Sequence, residues 1–243
     1  ALMDAPRDES FRRWRAVNVK PHKITNRAIV VIALKAYGQA PGDATADQME
    51  LIAELAERYA LSEIRVTKEQ NLVLPHVDAA ALPVVFKALK DAGLATANAG
   101  RASDIVACPG LDYCNLANAR SIPIAQAISR ALEAEGLDEA AGEVTIKISG
   151  CINACGHHHV ANIGLLGVDK KGEEVYQLTL GGIADDQAAI GQIAGPGLSA
   201  EDAVRAVTTC VRVYAEQAET EETFTETLSR IGHQPFKEAV YGA

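Results

Sequence analysis

Ser149-Gly150-Cys151-Ile152-Asn153-Ala154-Cys155-Gly156-His157-His158-His159 sets two cysteines at C-x3-C spacing, with glycines on both sides and three consecutive histidines behind them. Upstream, Ala107-Cys108-Pro109-Gly110-Leu111-Asp112-Tyr113-Cys114 carries a second pair at C-x5-C. Four of the five cysteines thus fall into two tight pairs. Structural zinc sites favour C-x2-C or C-x4-C pairs, and thiol–disulfide sites favour C-x-x-C, so neither pattern fits. Four soft thiolates do suit a [4Fe–4S] cluster. In extended chain successive side chains alternate faces, so at most one or two of the three histidines face such a centre. One of them is read as a hydrogen-bond donor behind the ligands, the others as structural.

Working outward, Val144 to Ser149 alternates apolar and polar residues and reads as the strand that delivers Gly150-Cys151. His159 to Gly167 reads as the next strand. Lys170-Lys171-Gly172-Glu173 is a hairpin turn, and Glu174 to Leu180 is the return strand. Asn115 to Glu135 reads as a helix, kinked or broken near Ile122 by Pro123. Ser199 with Asp202 caps a helix that runs to about Glu219, with Val207, Cys210, Val211 and Tyr214 on its buried face. Phe224 to Leu228 begins a last helical piece. On the amino-terminal side, residues 1–10 read as a loose arm. Ala28 to Ala36 is a strand, Asp43, Thr45 or Asp47 caps a helix to about Tyr59, and Glu63 to Thr67 with Gln70 to Leu74 forms a strand pair. Leu82 to Ala92 is a second amphipathic helix, stopped by Gly93. Strand, helix, two strands, helix is the order of a ferredoxin-like half-domain. The fold class expected is α+β: this half-domain over residues 11–95, then a mixed α/β cluster-binding domain over 96–243.

A hydrophobic share of 48% over 243 residues is enough to bury a sizeable core. The formal charge of −9 argues against a nucleic-acid binder. No apolar run approaches the ~18 to 20 residues that span a bilayer. Five cysteines behind no secretory signal read as reduced thiols of the cytoplasm. Charge is unevenly spread: Phe11 to Gly42 holds no acidic residue, while Glu216, Glu219, Glu221, Glu222 and Glu226 cluster near the other end. Both stretches read as solvated faces, the basic one alternatively as a partner-facing surface.

Cys108-x5-Cys114 with Cys151-Ile-Asn-Ala-Cys155-Gly resembles the paired cysteine motif of the sirohaem- and [4Fe–4S]-containing sulfite and nitrite reductases. Asn153 matches an asparagine of the second motif. His157, His158, Ile163, Gly164 and Gly167 resemble the segment after it, and Gly181-Gly182 the glycine pair beyond the next strand. Arg65-Val66-Thr67 with Gln70-Asn71-Leu72 resembles the R-x-T-x-x-Q-N strand pair of the family's ferredoxin-like repeat. The resemblance covers roughly Phe11 to Tyr241. It implies a [4Fe–4S] cluster held by Cys108, Cys114, Cys151 and Cys155, with Cys155 also bridging to sirohaem iron. It implies cofactor contacts from Asn153, His157, Gln70 and Asn71, and a substrate or sirohaem-carboxylate role for Arg65 and Lys68. The implied activity is six-electron reduction of sulfite to sulfide, with nitrite to ammonia as the alternative. The implied electron donor is a ferredoxin or an NADPH-fed flavoprotein. Family members usually carry two tandem repeats, and this chain resembles the second, cysteine-bearing one. The expectation is therefore a C-terminal half, incomplete for catalysis without an N-terminal repeat or, alternatively, a homodimer mate. A reading of a different class is a non-catalytic metal-binding module, with zinc in place of the cluster.

Overall fold

The computed structural model describes residues 8–242. The chain divides between Ala99 and Gly100 into two compact units. The first is built from α1 (Glu9–Asn18), β1 (Val19–Pro21), β2 (Arg27–Ile32), α2 (Ala46–Tyr59), β3 (Arg65–Val66), β4 (Leu72–Asp78) and α3 (Leu82–Asp91). Its strands form one antiparallel sheet in the order β1-β2-β4-β3. Alternation along β2 turns Ala28, Val30 and Ile32 inward. There they meet Ile52 and Leu55 of α2 and Val85, Phe86 and Leu89 of α3. Thr45 caps α2 through a reciprocal box with Gln48.

Several elements differ from the sequence expectation. Residues 1–7 of the expected loose arm lie outside the described residues, but its end is helical. Asp8 accepts from the Ser10 amide and starts α1. Phe11 and Trp14 then pack on Phe86, with ring centroids 5.3 and 5.2 Å away, and this burial fixes the helix. The strand expected from Ala28 to Ala36 stops at Ile32. Beyond it the backbone bonds elsewhere: the Leu34 amide donates to Asn71 Oδ1 at 3.0 Å and the Gly42 amide to Leu34 O at 2.8 Å. β4 runs on past Leu74 through Pro75, where the register between β2 and β4 shifts. A bulge is where a strand tolerates proline, which has no ladder donor.

The second unit comprises β5 (Val106–Ala107), α4 (Ile122–Ala134), α5 (Leu137–Ala141), β6 (Ile146–Ser149), β7 (Ile163–Lys170), β8 (Glu173–Leu180), β9 (Gln192–Ile193), α6 (Ala200–Gln217), α7 (Phe224–Ile231) and α8 (Gln234–Tyr241). Its sheet has the order β5-β6-β7-β8-β9, with β5, β6 and β7 parallel and β8 and β9 antiparallel. Ile146, Ile148, Ile163, Leu165, Leu178 and Leu180 share one core with Ile128 and Leu132 of α4 and Val207, Cys210 and Val211 of α6. Burial pushes the Cys210 thiol up to about 12, as befits a core residue. The Lys171-Gly172 turn has positive φ at both positions, the two-residue hairpin geometry that matches strand twist.

The helix expected from Asn115 begins only at Ile122, because residues before it turn back to other backbone. The Asn118 and Ala119 amides both donate to Gly150 O, and Ala119 O accepts from Leu111. β7 starts at Ile163 rather than His159, since His158–Val160 forms a single 3-10 turn. β6 is buried at all four positions, including Lys147 and Ser149, so its alternation marks two covered faces and not one exposed one. The last helical piece is two helices, α7 and α8, separated at Gly232.

Asn71→Leu removes the acceptor of a buried amide at Leu34, for which we expect about 1–3 kcal/mol of lost stability in denaturant unfolding. A loss below about 0.5 kcal/mol would show that the bond is dispensable. At the far end, hydrogen bonds from Arg230 hold the Glu222 carboxyl down to about 2, against an ordinary 4.5. Its folded pKa is depressed, so its contribution to stability is whole above pH 4.5 and fades as pH falls toward 2. The Tm difference between the parent protein and Glu222→Gln should therefore shrink across that window. A difference constant with pH contradicts the assignment.

Candidate metal centre

The parallel pairing of β5 with β6 sets Val106 against Lys147 and Ala107 against Ile148. Cys108 and Ser149 therefore leave neighbouring strand ends side by side, and the Cys108 amide donates to Ile148 O at 3.1 Å. Carboxyl ends of parallel strands are where α/β sheets form their ligand crevices. The Gly150 amide donates to Cys108 Sγ at 3.0 Å, and Gly150 O accepts from Asn118 and Ala119 at 2.8 and 3.0 Å. A Cβ on Gly150 would lie 2.6 Å from Ala119 O and 3.0 Å from Gly110 Cα, so only glycine allows the approach. The C-x5-C loop closes on itself where the Cys114 amide donates to Gly110 O at 2.9 Å. The C-x3-C loop closes through Ala154 to Cys151 O at 3.1 Å and His157 to Ala154 O at 2.8 Å, with Ala154 and His157 both in the left-handed region.

All five cysteines are free thiols. Cys108 and Cys151 are buried, Cys114 is half-buried and Cys155 is exposed. Asn153 and His157 are exposed on the same turn as Cys155. His158 is the buried member of the histidine run. Burial, aided by the neighbouring His159 ring, pushes its imidazole down to about 4. Two buried polar atoms beside the motif, Ser149 Oγ and His158 Nδ1, have no hydrogen-bond partner. The motif did not single out His158 among its three histidines, and it gave no hint of Ser121 beside Cys108 or of the burial of Lys147.

Among the described residues, no three His, Cys, Asp or Glu side chains are gathered as a ready-made set for one ion. The fit is carried instead by the backbone and by the chemistry of the donors. Two turns locked together by hydrogen bonds present four soft sulfurs, and the strand that ends at them holds an orphaned hydroxyl. That set fits an iron–sulfur cluster, whose thiolates need donors around them.

The remaining sequence candidates lie in the first unit. Arg65 is exposed on β3 and its Nε donates to Glu63 Oε1 at 2.6 Å. Glu63 Oε2 is 3.2 Å from His76 Nε2, and His76 Nδ1 is 3.0 Å from His22 Nε2. The Ile24 amide donates to His22 Nδ1 at 2.8 Å. With both rings neutral, that amide fixes the proton on His22 Nε2, which then donates to His76, and His76 to Glu63. Lys68 is exposed, 3.6 Å from Glu69. Gln70 takes positive φ in the turn before β4. Asn71 is buried and accepts from Leu34, so this oxygen holds β2 to β4.

The sequence pattern of the Nitrite and sulphite reductase 4Fe-4S domain matches residues 99–242, and that of the Nitrite/Sulfite reductase ferredoxin-like half domain matches residues 34–92. The ferredoxin–nitrite reductase of Synechococcus elongatus is 36% identical over 165 residues, which cover 66% of this chain and 32% of the relative. An assimilatory-type sulfite reductase of Nitratidesulfovibrio vulgaris is 26% identical over 203 residues, covering 82% of this chain and 87% of the relative. The solved structure of the NirA protein of Mycobacterium tuberculosis superposes with a TM-score of 0.75 at 24% identity, over 90% of this chain and 41% of that one, a likeness of fold. The chain spans about a third of the length of several curated relatives. Among the described residues no helix is long and apolar enough to cross a membrane. Two thiol pairs on locked turns, inside a domain matched over its whole length, make this chain a member of the nitrite and sulphite reductase family, whose cofactors are a [4Fe–4S] cluster and sirohaem.

Proposed function

We propose that this chain is the cluster- and sirohaem-holding part of an assimilatory sulfite reductase, reducing sulfite to sulfide with six electrons. The observation that carries this reading is the pairing of Cys108 with Gly150-Cys151 at adjoining ends of parallel strands, with Cys155 exposed beyond them. When bound, the two cofactors would supply the redox chemistry, electron relay through the cluster and anion binding at the sirohaem. Cys108, Cys114 and Cys151 hold the cluster. The Gly150 amide, already aimed at Cys108, stabilises charge on that sulfur. Cys155 serves both groups, consistent with its being the one exposed cysteine of the four. Asn153 and His157, exposed on its turn, make polar contacts to the sirohaem. Arg65 and Lys68 serve the sirohaem carboxylates or the substrate, and Gln70 serves the cofactor. Asn71 serves through the sheet, by holding the end of β2 to β4.

The preference for sulfite rests on the assimilatory-type sulfite reductase that this chain nearly spans. Nitrite to ammonia is the second reading, favoured by the higher identity to a ferredoxin–nitrite reductase. That relative's name also supports a ferredoxin as electron donor, with an NADPH-fed flavoprotein as the alternative. Substrate-gripping cations from a further repeat, in the same polypeptide or in a second copy, complete the site.

Anaerobically purified protein should contain iron and acid-labile sulfide and show sirohaem bands in the visible spectrum. Cys108→Ser should lose the cluster, and Cys155→Ser the coupling between cluster and haem. A colourless protein that holds zinc and takes up no cluster on reconstitution would point to a structural metal module instead. With the completing repeat present, as part of the same polypeptide or as a second copy, and reduced viologen as donor, sulfide from sulfite is expected to outpace ammonia from nitrite. The opposite order exchanges the two substrates.

A further inference from the structure

We propose that Ser121 is a positioning residue for the cluster, its hydroxyl donating a hydrogen bond to the ligating sulfur of Cys108 and so raising the cluster's reduction potential. The inference rests on the reductase reading above, because it takes Cys108 as a ligand. Ser121 Oγ lies 3.3 Å from Cys108 Sγ and the residue is wholly buried. A ligating thiolate has no proton to give, so the hydroxyl is the donor.

Ser121 stands at the N-cap of α4, where a serine normally accepts from an amide of the first turn. It makes no such bond. The hydroxyl is turned to the sulfur, and its surroundings leave it little choice. It lies 3.0 Å from where a Cβ on Gly110 would sit and 3.0 Å from the same position on Gly150. Both flanking glycines are thus part of the slot that holds it.

The backbone under Ser121 is held from the sheet. The Arg120 amide donates to Glu174 Oε2 at 2.8 Å, and Tyr176 Oη donates to Arg120 O at 2.7 Å. The Arg120 guanidinium pairs with Glu174 and reaches Asp112 at 3.5 Å. Asp112 belongs to the C-x5-C loop itself. Strand β8 therefore fixes Arg120, and Arg120 fixes the backbone from which the Ser121 hydroxyl reaches Cys108. Cys108 Sγ receives one donor from each of two loops.

The consequence follows from charge. One-electron reduction adds negative charge that the cluster shares with its ligating sulfurs. A donor to such a sulfur stabilises the reduced form more than the oxidised form, and its removal lowers the potential.

The test uses the full chain, reconstituted anaerobically, with iron and sulfide analysis to establish loading. The midpoint potential is read by redox titration followed by electron paramagnetic resonance. Ser121→Ala should shift the potential to more negative values, and Ser121→Thr, which keeps the hydroxyl, should restore it. If the alanine variant folds by circular dichroism but does not load, while the threonine variant loads with the parent potential, the hydroxyl is still the positioning group. A parent-like potential in Ser121→Ala overturns the proposal. So does equal damage in both variants, since that indicts packing and not the hydroxyl. Failure of the parent chain itself to take up a cluster overturns the reductase reading, and this proposal with it, before any variant is compared.

Discussion

Gly150 donates its amide to the Cys108 sulfur at 3.0 Å while its carbonyl accepts from Asn118 and Ala119. One residue thereby joins the two cysteine loops, and it can do so only because no side chain separates it from Ala119 and Gly110. The loops are far apart in sequence, and closing such an interval costs chain entropy that local propensity cannot supply. The cost is offset by the β5–β6 pairing and by the helical crossover between those strands, whose apolar face is buried in the same core as the sheet. Every proposed ligand position depends on that register.

The register also explains an uncommon feature of β6. Its Lys147 and Ser149 are buried, although they alternate with Ile146 and Ile148 as exposed residues would. A central strand with parallel neighbours is covered on both faces, so its polar positions become buried polar groups next to the motif. Ser149 Oγ is left without a partner there. Buried unsatisfied groups are costly and rare, and at a site built for a bound group they mark where that group's contacts belong.

The first unit contributes a different kind of order. Asp8 starts α1, and the Phe11–Trp14–Phe86 contacts hold it on α3. Asn71 secures the end of β2, and hydrogen bonds link His22 to His76 and His76 to Glu63, which also accepts from Arg65. Arg65 is thus a cation whose orientation is set by a carboxylate in its own unit.

What could be read in the residues alone was whatever depends on local chemistry. Cysteine crowding pointed to soft-metal ligation, the group Asp43, Thr45 and Asp47 to a helix start, and Lys171-Gly172 to a hairpin. Each is a property of a few adjacent residues. The start of β7, the end of β2 and the absence of helix over residues 115–121 were not legible, because there the backbone bonds to distant chain. α8 was missed beyond Gly232, and β5 and β9 were too short to show a period. The four cysteines were evident from spacing, but their unequal burial was not: Cys155 is exposed and Cys108 buried because one lies at a turn's outer side and the other at a strand end. Nor did the sequence distinguish His158 from its neighbours or attach Ser121 to the site. Sequence determined which atoms can ligate. Tertiary structure alone decided which donors reach them, because a hydrogen bond to sulfur is a matter of register between segments that the chain does not place side by side.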